Sequence, residues 1–437
     1  MNLQKHIKDT IINVVTLGCS KNLVDSERLM RQLQAIGYQI VHDENEAADV
    51  VLINTCGFIG DAKEESINMI LSFVEAKKRG EIKFLYVFGC LSQRYKNELE
   101  QEMPEVDTFF GVTDFDKIVE KLGGVLQLNL LTERTITTPS HYAYLKISEG
   151  CNWGCSYCAI PLIRGKHISV PIEKLVEEAT LLAAKGVKEL LVTAQDTTFY
   201  GIDLYGRRRL ADLLNALSEI KGIEWIRLHY AYPTQFPDDV IVAMRDNPKI
   251  CKYLDIPLQH VSDKVLENMR RGIDGKQTRE LINRLRTEIP SIAIRTTLIV
   301  GHPGENKAAF EELKNFVKEM RFERLGVFCY SEEEGTYGAQ HLRDTISKKE
   351  KQARHDAIMA LQSDISQELN EVKIGKTFRA IIDRVEGEYY VGRTEYDSPE
   401  VDNEVLIAVK ENSLKIGAFY EVEIIAAEEY DLYGKVK

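Results

Sequence analysis

From Ile11 to about Glu371, short runs rich in β-branched and aromatic residues alternate with amphipathic helical stretches, and few folds accept that order. Parallel strands need a crossover between them and a helix supplies it, so the pattern calls for parallel sheets covered by helices. Within residues 1–131 the strands are expected at Ile11–Leu17, Val50–Asn54 and Phe84–Phe88, with helices over Asp25–Ile36, Asp61–Lys78 and Asp116–Leu122. That is a small parallel-sheet α/β domain. Residues 132–140, TERTITTPS, are threonine-rich with a proline and read as a linker. Residues 141–372 repeat the grammar at greater length, with strands at Tyr142–Ile147, Glu189–Thr193, Trp225–His229, Tyr253–Ile256, Ala293–Val300 and Arg324–Tyr330. Helices lie between them, among them Pro171–Lys185 and Glu305–Met320. Six such units predict a partial (β/α) barrel with its site at the carboxyl ends of the strands, a doubly wound open sheet being the alternative. Residues 375–437 change character. Five short runs, Phe378–Asp383, Glu388–Arg393, Glu404–Val409, Tyr420–Ala426 and Leu432–Val436, predict a small five-stranded β-barrel.

Composition sets the compartment in which the cysteines must be read. With 44% hydrophobic and 28% charged residues the chain is globular, and no apolar run reaches the roughly 18–20 residues of a membrane span. Met1–Thr10 carries Lys5, Lys8 and Asp9, and the apolar stretch after it, Ile11–Leu17, is too short for a secretory leader. The expected location is cytoplasmic. There thiols stay reduced, so the eight cysteines point to metal or catalysis rather than to a disulfide framework. The net charge, 56 − 68 = −12, argues mildly against a nucleic-acid substrate without excluding a local basic groove.

The sharpest motif is Glu149-Gly-Cys151-Asn-Trp-Gly-Cys155-Ser-Tyr-Cys158, a C-x3-C-x2-C spacing on the loop after an expected strand. Three thiolates on one tight loop can take three corners of a cubane cluster and leave the fourth iron open to a cofactor. A zinc knuckle is the alternative, but a structural zinc wants four protein ligands and His167 is the only nearby candidate. Cys19, Cys56 and Cys90 are far apart in sequence but equivalent in context, each after an expected strand and before a helical pattern. In a parallel sheet those loops share one edge, so the thiols can converge near helix N-termini, which favour anionic ligands. Cys251 and Cys329 lie in or beside apolar runs and read as core residues.

The loop, with Tyr157 before its last cysteine, resembles the signature of radical S-adenosylmethionine (SAM) enzymes. Together with an N-terminal domain bearing three scattered cysteines and a β-barrel tail, nearly the whole chain resembles the radical SAM methylthiotransferases. The resemblance implies a SAM-binding 4Fe–4S cluster on Cys151, Cys155 and Cys158 and an auxiliary 4Fe–4S cluster on Cys19, Cys56 and Cys90. It implies a TRAM domain at residues 375–437 that helps recognise the substrate. For SAM it points to Tyr157, to Gln195 and Asp196 (where the superfamily's glycine-rich turn falls, without its glycines), and to Gly301, Gly304 and Glu305. An ordinary strand-to-helix turn is the other reading of those glycines. His229 and His260 sit near strand ends and read as core or solvated residues sooner than as cavity groups.

The family divides by substrate, one branch modifying an adenosine in transfer RNA (the MiaB type) and the other the β-carbon of an aspartate in ribosomal protein S-twelve. Leu17-Gly-Cys-Ser-Lys-Asn22, Thr55-Cys-Gly-Phe-Ile59 with Ala62-Lys-Glu-Glu-Ser66, Gln195-Asp-Thr-Thr198 with Tyr200-Gly-Ile-Asp-Leu-Tyr205, and Tyr330-Ser-Glu-Glu-Glu-Gly-Thr336 resemble the ribosomal branch. Charge points the same way independently. Residues 375–437 carry 14 Asp/Glu against 8 Lys/Arg, a net of −6, which suits a basic partner better than RNA, although an acidic surface also aids solubility. The partners so implied are ribosomal protein S-twelve, free or in the small subunit, an electron donor and a sulfur donor, with no membrane and with RNA contact left open.

Overall fold

The computed structural model describes residues 9–44, 48–411 and 413–437. Residues 1–8, most of the segment that argued against a secretory leader, lie outside the described residues.

The first sheet has strands β1 (Ile11–Thr16), β2 (Gln39–His42), β3 (Val50–Thr55), β4 (Phe84–Gly89) and β5 (Thr108–Phe109) in the order β2-β1-β3-β4-β5, every pairing parallel. Alternate side chains feed two separate cores. Ile12, Val14, Leu52 and Tyr86 pack on one face, Val15, Val51, Ile53, Leu85 and Val87 on the other. A parallel sheet covered on both faces needs near-continuous apolar strands, which is why β3 is buried throughout.

The second sheet contains β6 (Tyr142–Lys146), β9 (Glu189–Thr193), β10 (Trp225–Leu228), β11 (Ile250–Asp255), β12 (Ala293–Val300) and β13 (Arg324–Cys329), all parallel, in the order β13-β12-β11-β10-β9-β6. A two-stranded ladder of β7 (Ser148–Glu149) and β8 (Ile168–Ser169) sits beside it. Its helix-facing side chains, such as Leu145, Leu190, Ile226, Leu254 and Ile294, form the largest core. The opposite face is polar: Glu189, Arg227, Asp255 and Arg324 are buried there. A long helix, Lys348–Glu371, then leads into the closed barrel of β14 (Thr377–Glu386), β15 (Tyr389–Thr394), β16 (Glu404–Ala408), β17 (Phe419–Ala427) and β18 (Asp431–Val436).

These are the three architectures expected, with a six-stranded partial barrel rather than a doubly wound sheet at the centre. The short edge strands β2 and β5 were not anticipated, whereas the helical pattern expected after Cys90 is the helix Cys90–Glu102. The threonine-rich stretch after residue 131 is packed down, because Arg134 is buried between Glu27 at 3.0 Å and Glu178 at 3.0 Å. Among the described residues no helix is long and apolar enough to cross a membrane.

Candidate active site

Three neighbouring strands of the first sheet deliver Cys19, Cys56 and Cys90 to one edge. Cys19 caps the helix Ser20–Ile36 after β1, Cys56 directly follows β3, and Cys90 opens the helix Cys90–Glu102 after β4. Gly18, at φ +93°, permits the approach: a Cβ there would stand 2.8 Å from the Cys56 Cβ. The Ser66 hydroxyl accepts from the Cys56 N–H and donates to its carbonyl, each at 3.0 Å. Asn22 ties the loops together, its Nδ2 donating to the Leu17 carbonyl at 2.8 Å and the Thr55 carbonyl at 3.2 Å.

The second triad lies on the loop between β7 and β8, whose pairing closes residues 150–167 into a small lobe. Gly150, at φ +74°, lets that lobe close, since a Cβ would meet the Lys166 carbonyl oxygen at 2.1 Å. The Cys155 Sγ is 3.3 Å from the Tyr232 hydroxyl and 3.7 Å from Arg271 Nη1.

Burial pushes the Cys56 thiol up to about 11 and the Cys151 thiol up to about 12, and raises those of Cys90 and Cys158 as well. Burial acts against Cys19 too, yet Lys21 and Arg164 hold it below its ordinary value. Among the described residues no three His, Cys, Asp or Glu side chains are gathered tightly enough for a single metal ion. A cubane asks for something else, one thiolate per iron, and it also deprotonates the thiols that burial would keep neutral. Two sets of three unpaired cysteines, with Lys21 and Arg164 beside one and Arg271 beside the other, fit that group.

A single guanidinium joins the two triads. Arg164, at the end of the helix Ile160–Arg164, places Nη2 3.5 Å from the Cys90 Sγ and 2.5 Å from Asn22 Oδ1. Its Nη1 lies 3.1 Å from Asp25 and 2.7 Å from Glu149. Lys146 pairs with Asp25 as well and reaches Glu149 at 2.9 Å. Against the cost of burial, Lys146 and Arg164 hold the Glu149 carboxyl well below the usual carboxylate range. Sequence reasoning missed Arg164, Lys146 and Arg271, because their partners are up to 142 residues away and no spacing signals them.

The residues anticipated for SAM fall into two groups. Gln195 donates to Glu149 at 2.7 Å, and Asp196 accepts from the indole of Trp153 at 2.6 Å, so both face the cysteine loop. The Trp153 ring stacks on Tyr232 at 4.2 Å, and the Tyr157 hydroxyl accepts from Arg271 at 3.3 Å. Gly301 and Gly304 form the turn after β12, where Glu305 accepts from the Gly301 N–H and pairs with Arg354 at 3.2 Å. Glu305 is 2% exposed, spent on that turn. His260 is buried 3.6 Å from Glu305, and His229 bonds Ser398 at 3.1 Å. His167 bonds Ser169 at 2.9 Å, and among the described residues it joins the cysteines in no group that could hold a single metal ion. Cys251 is buried in a small core cluster with Trp225 and Tyr253, and Cys329 is half-buried against the largest core.

This constellation is that of a radical SAM enzyme. Residues 145–317 match the Radical SAM superfamily, residues 374–436 the TRAM domain, and residues 11–111 the Uncharacterized protein family UPF0004. The fold is shared with the radical SAM methyltransferase TsrM of Kitasatospora setae, at TM-score 0.54 and 13% identity over 73% of each chain. Ribosomal protein uS12 methylthiotransferase RimO of Phocaeicola vulgatus is 55% identical over 98% of this chain and 100% of its own. The protein of the same name from Flavobacterium johnsoniae is 54% identical over 99% of both. The chain belongs to this methylthiotransferase family, and the transfer-RNA alternative finds no support among these relatives.

Proposed function

We propose that the protein adds a methylthio group to the β-carbon of an aspartate in ribosomal protein uS12, working in the cytoplasm with two 4Fe–4S clusters and SAM. The observation that carries this reading is the pair of cysteine triads, with Arg164 reaching from the lobe of one to a thiol of the other. Relatives named for uS12 over nearly the whole chain support the choice of acceptor. In this reading residues 1–131 hold the auxiliary cluster, 141–372 the radical cluster and SAM, and 375–437 help engage the acceptor protein. Cys151, Cys155 and Cys158 would hold the cluster that supplies the electron for reductive cleavage of SAM, and Cys19, Cys56 and Cys90 the cluster that supplies the sulfur to be donated.

The chain's own residues perform the rest. Tyr157, Gln195, Asp196, Gly301 and Gly304 border the SAM site, and Glu305 shapes its outer turn. The Trp153–Tyr232 stack walls the radical loop, and Arg271 offers positive charge to the Cys155 thiolate. Arg164 does the same for Cys90 and fixes the separation of the triads. An electron donor and a sulfur donor complete the cycle.

Anaerobically reconstituted protein is expected to hold about eight irons per chain, falling to about four in the Cys151/Cys155/Cys158→Ala variant. Cys56→Ala is expected to cleave SAM yet transfer no methylthio group to uS12. Four irons falling to none would sink the two-cluster reading, and equal loss of cleavage in Cys56→Ala with the first cluster intact would sink the division of labour.

A further inference from the structure

Among the described residues, Cys155 is the one thiol of its triad that side-chain donors reach: the Tyr232 hydroxyl stands 3.3 Å from its Sγ and Arg271 Nη1 3.7 Å from it. Both come from distant loops. Tyr232 follows β10, and Arg271 follows the helix Asp263–Met269, whose Met269 carbonyl accepts from the Ser156 N–H at 3.0 Å. That bond ties the Arg271 loop directly to the cysteine motif.

The Tyr232 ring is held in place. It is 7% exposed, the Trp153 ring stacks on it at 4.2 Å, and the Arg271 guanidinium lies 4.1 Å from its centroid. Two groups that close to one centroid take opposite faces, so the ring is sandwiched and its hydroxyl has a fixed aim. A phenol carries one proton, and two acceptors compete for it. The Cys155 Sγ is one, and the Arg271 carbonyl, 3.1 Å away, is the other. That carbonyl already has a donor in the Thr234 hydroxyl at 2.8 Å, whereas no second hydroxyl reaches the sulfur. A thiolate bound to iron can only accept, and a hydrogen bond to a charged acceptor is roughly twice as strong as one to a neutral acceptor. With Thr234 serving the carbonyl, the Tyr232 hydroxyl is left to the sulfur.

We propose that Tyr232 donates a hydrogen bond to the Cys155 thiolate and, together with Arg271, raises the reduction potential of the radical cluster. This rests on the methylthiotransferase reading above and adds the residues that set how readily its electron is accepted. Donors aimed at a ligand sulfur favour the reduced state, which carries one more negative charge. Arg271 is 3% exposed, so water screens its charge little. The step concerned is a one-electron transfer: the electron donor is oxidised by one, the site on Cys151, Cys155 and Cys158 is reduced by one, and no bond is made or broken. Tyr232 acts through Cys155 and is a positioning residue in that sense.

The test is a redox titration of the reconstituted holoenzyme followed by electron paramagnetic resonance. It compares the wild type, Tyr232→Phe, Thr234→Val and the double variant, with iron and sulfide counted in each. SAM perturbs the signal of the cluster it binds, so the other cluster serves as an internal reference. Tyr232→Phe keeps the stacked ring and removes only the hydroxyl. Its SAM-responsive signal is expected to titrate lower by about tenfold in the reduction equilibrium, which is about 59 mV for one electron, with the reference unmoved. Thr234→Val is expected to lower the same potential, because the Arg271 carbonyl then draws the Tyr232 hydroxyl away. The double variant is expected to match Tyr232→Phe, since both changes act on one proton. A change below twofold in Tyr232→Phe, a rise, or an equal shift of both clusters overturns the proposal and leaves the methylthiotransferase reading intact. A wild type without a SAM-responsive signal overturns both. Should Tyr232→Phe lose iron, Thr234→Val decides: a lowered potential supports the proposal and an unmoved one overturns it.

Discussion

Arg164 shows how much one side chain can organise: it touches a thiol of one triad while belonging to the helix that follows the other. Close approach of the cysteine loops depends equally on a residue with no side chain. Gly18→Ala would force a Cβ into contact with Cys56 at a φ that L-residues avoid, at a cost of about 1–2 kcal/mol or more. The expected outcome is loss of roughly half the iron per chain, read by metal analysis, with SAM cleavage surviving. Full iron content in that variant would mean that the loop yields without cost. Lys373 offers a test of a different kind. Burial, reinforced by Arg324, pushes its amine down to about 8 from 10.5. Below pH 8 the folded protein carries the whole penalty, and between pH 8 and 10.5 the unfolded chain keeps a proton the folded one has shed, so this group's contribution to stability rises with pH. Lys373→Met is therefore expected to gain about 1–2 kcal/mol at pH 7 and little at pH 10.5, measured by denaturant midpoints. A gain independent of pH would refute the assignment.

At the scale of elements, the segment between β15 and β16 does more than connect them. Residues 395–403 reach into the polar face of the six-stranded sheet, where Arg324 meets Asp397, Tyr253 donates to Asp402 at 2.7 Å, and Arg227 donates to the Glu395 carbonyl at 2.7 Å. This explains why a sheet face can be lined with buried charges: a loop from another domain supplies their partners. Removing one member of a buried pair leaves the other uncompensated, so Asp397→Ala is expected to cost about 3–5 kcal/mol. Limited proteolysis should then release the C-terminal barrel first. Release of the N-terminal sheet instead would show that the loop does not hold the barrel in place.

At the scale of the whole molecule, charge is distributed unevenly, with −6 of the net −12 in residues 375–437. Long-range attraction of a basic protein is screened once charges are farther apart than the Debye length, ~30 Å at 0.01 M salt and ~8 Å at 0.15 M. Association with uS12 is expected to slow at least tenfold across that range, chiefly through the on-rate, in stopped-flow measurements. An on-rate indifferent to salt would leave the acidic tail as a matter of solubility. Ion pairs also join the N-terminal sheet to the barrel: Glu333 receives Arg94 and Lys63, each at 2.8 Å, and Arg28 meets Glu178 at 2.9 Å.

Strand order along the chain, the two cysteine patterns and the change of grammar near residue 375 were legible without coordinates, because periodicity and spacing are local properties that the backbone converts directly into elements. The strand ends read from sequence lie within a residue or two of those of β1, β3, β4, β6, β9, β10, β12 and β13, whereas β11 begins at Ile250 rather than Tyr253. Edge strands of two to four residues carry too little pattern to be read, so β2 and β5 emerged only from pairing. What the tertiary structure alone decided is which charge meets which. The junction of Arg164, Asp25, Lys146 and Glu149, the plug of residues 395–403 and the seat of the Lys21 ammonium over the Tyr230 ring all depend on residues distant in sequence. Coulomb and desolvation energies are set by distance in space and by exclusion of water, and neither is written into the order of the residues.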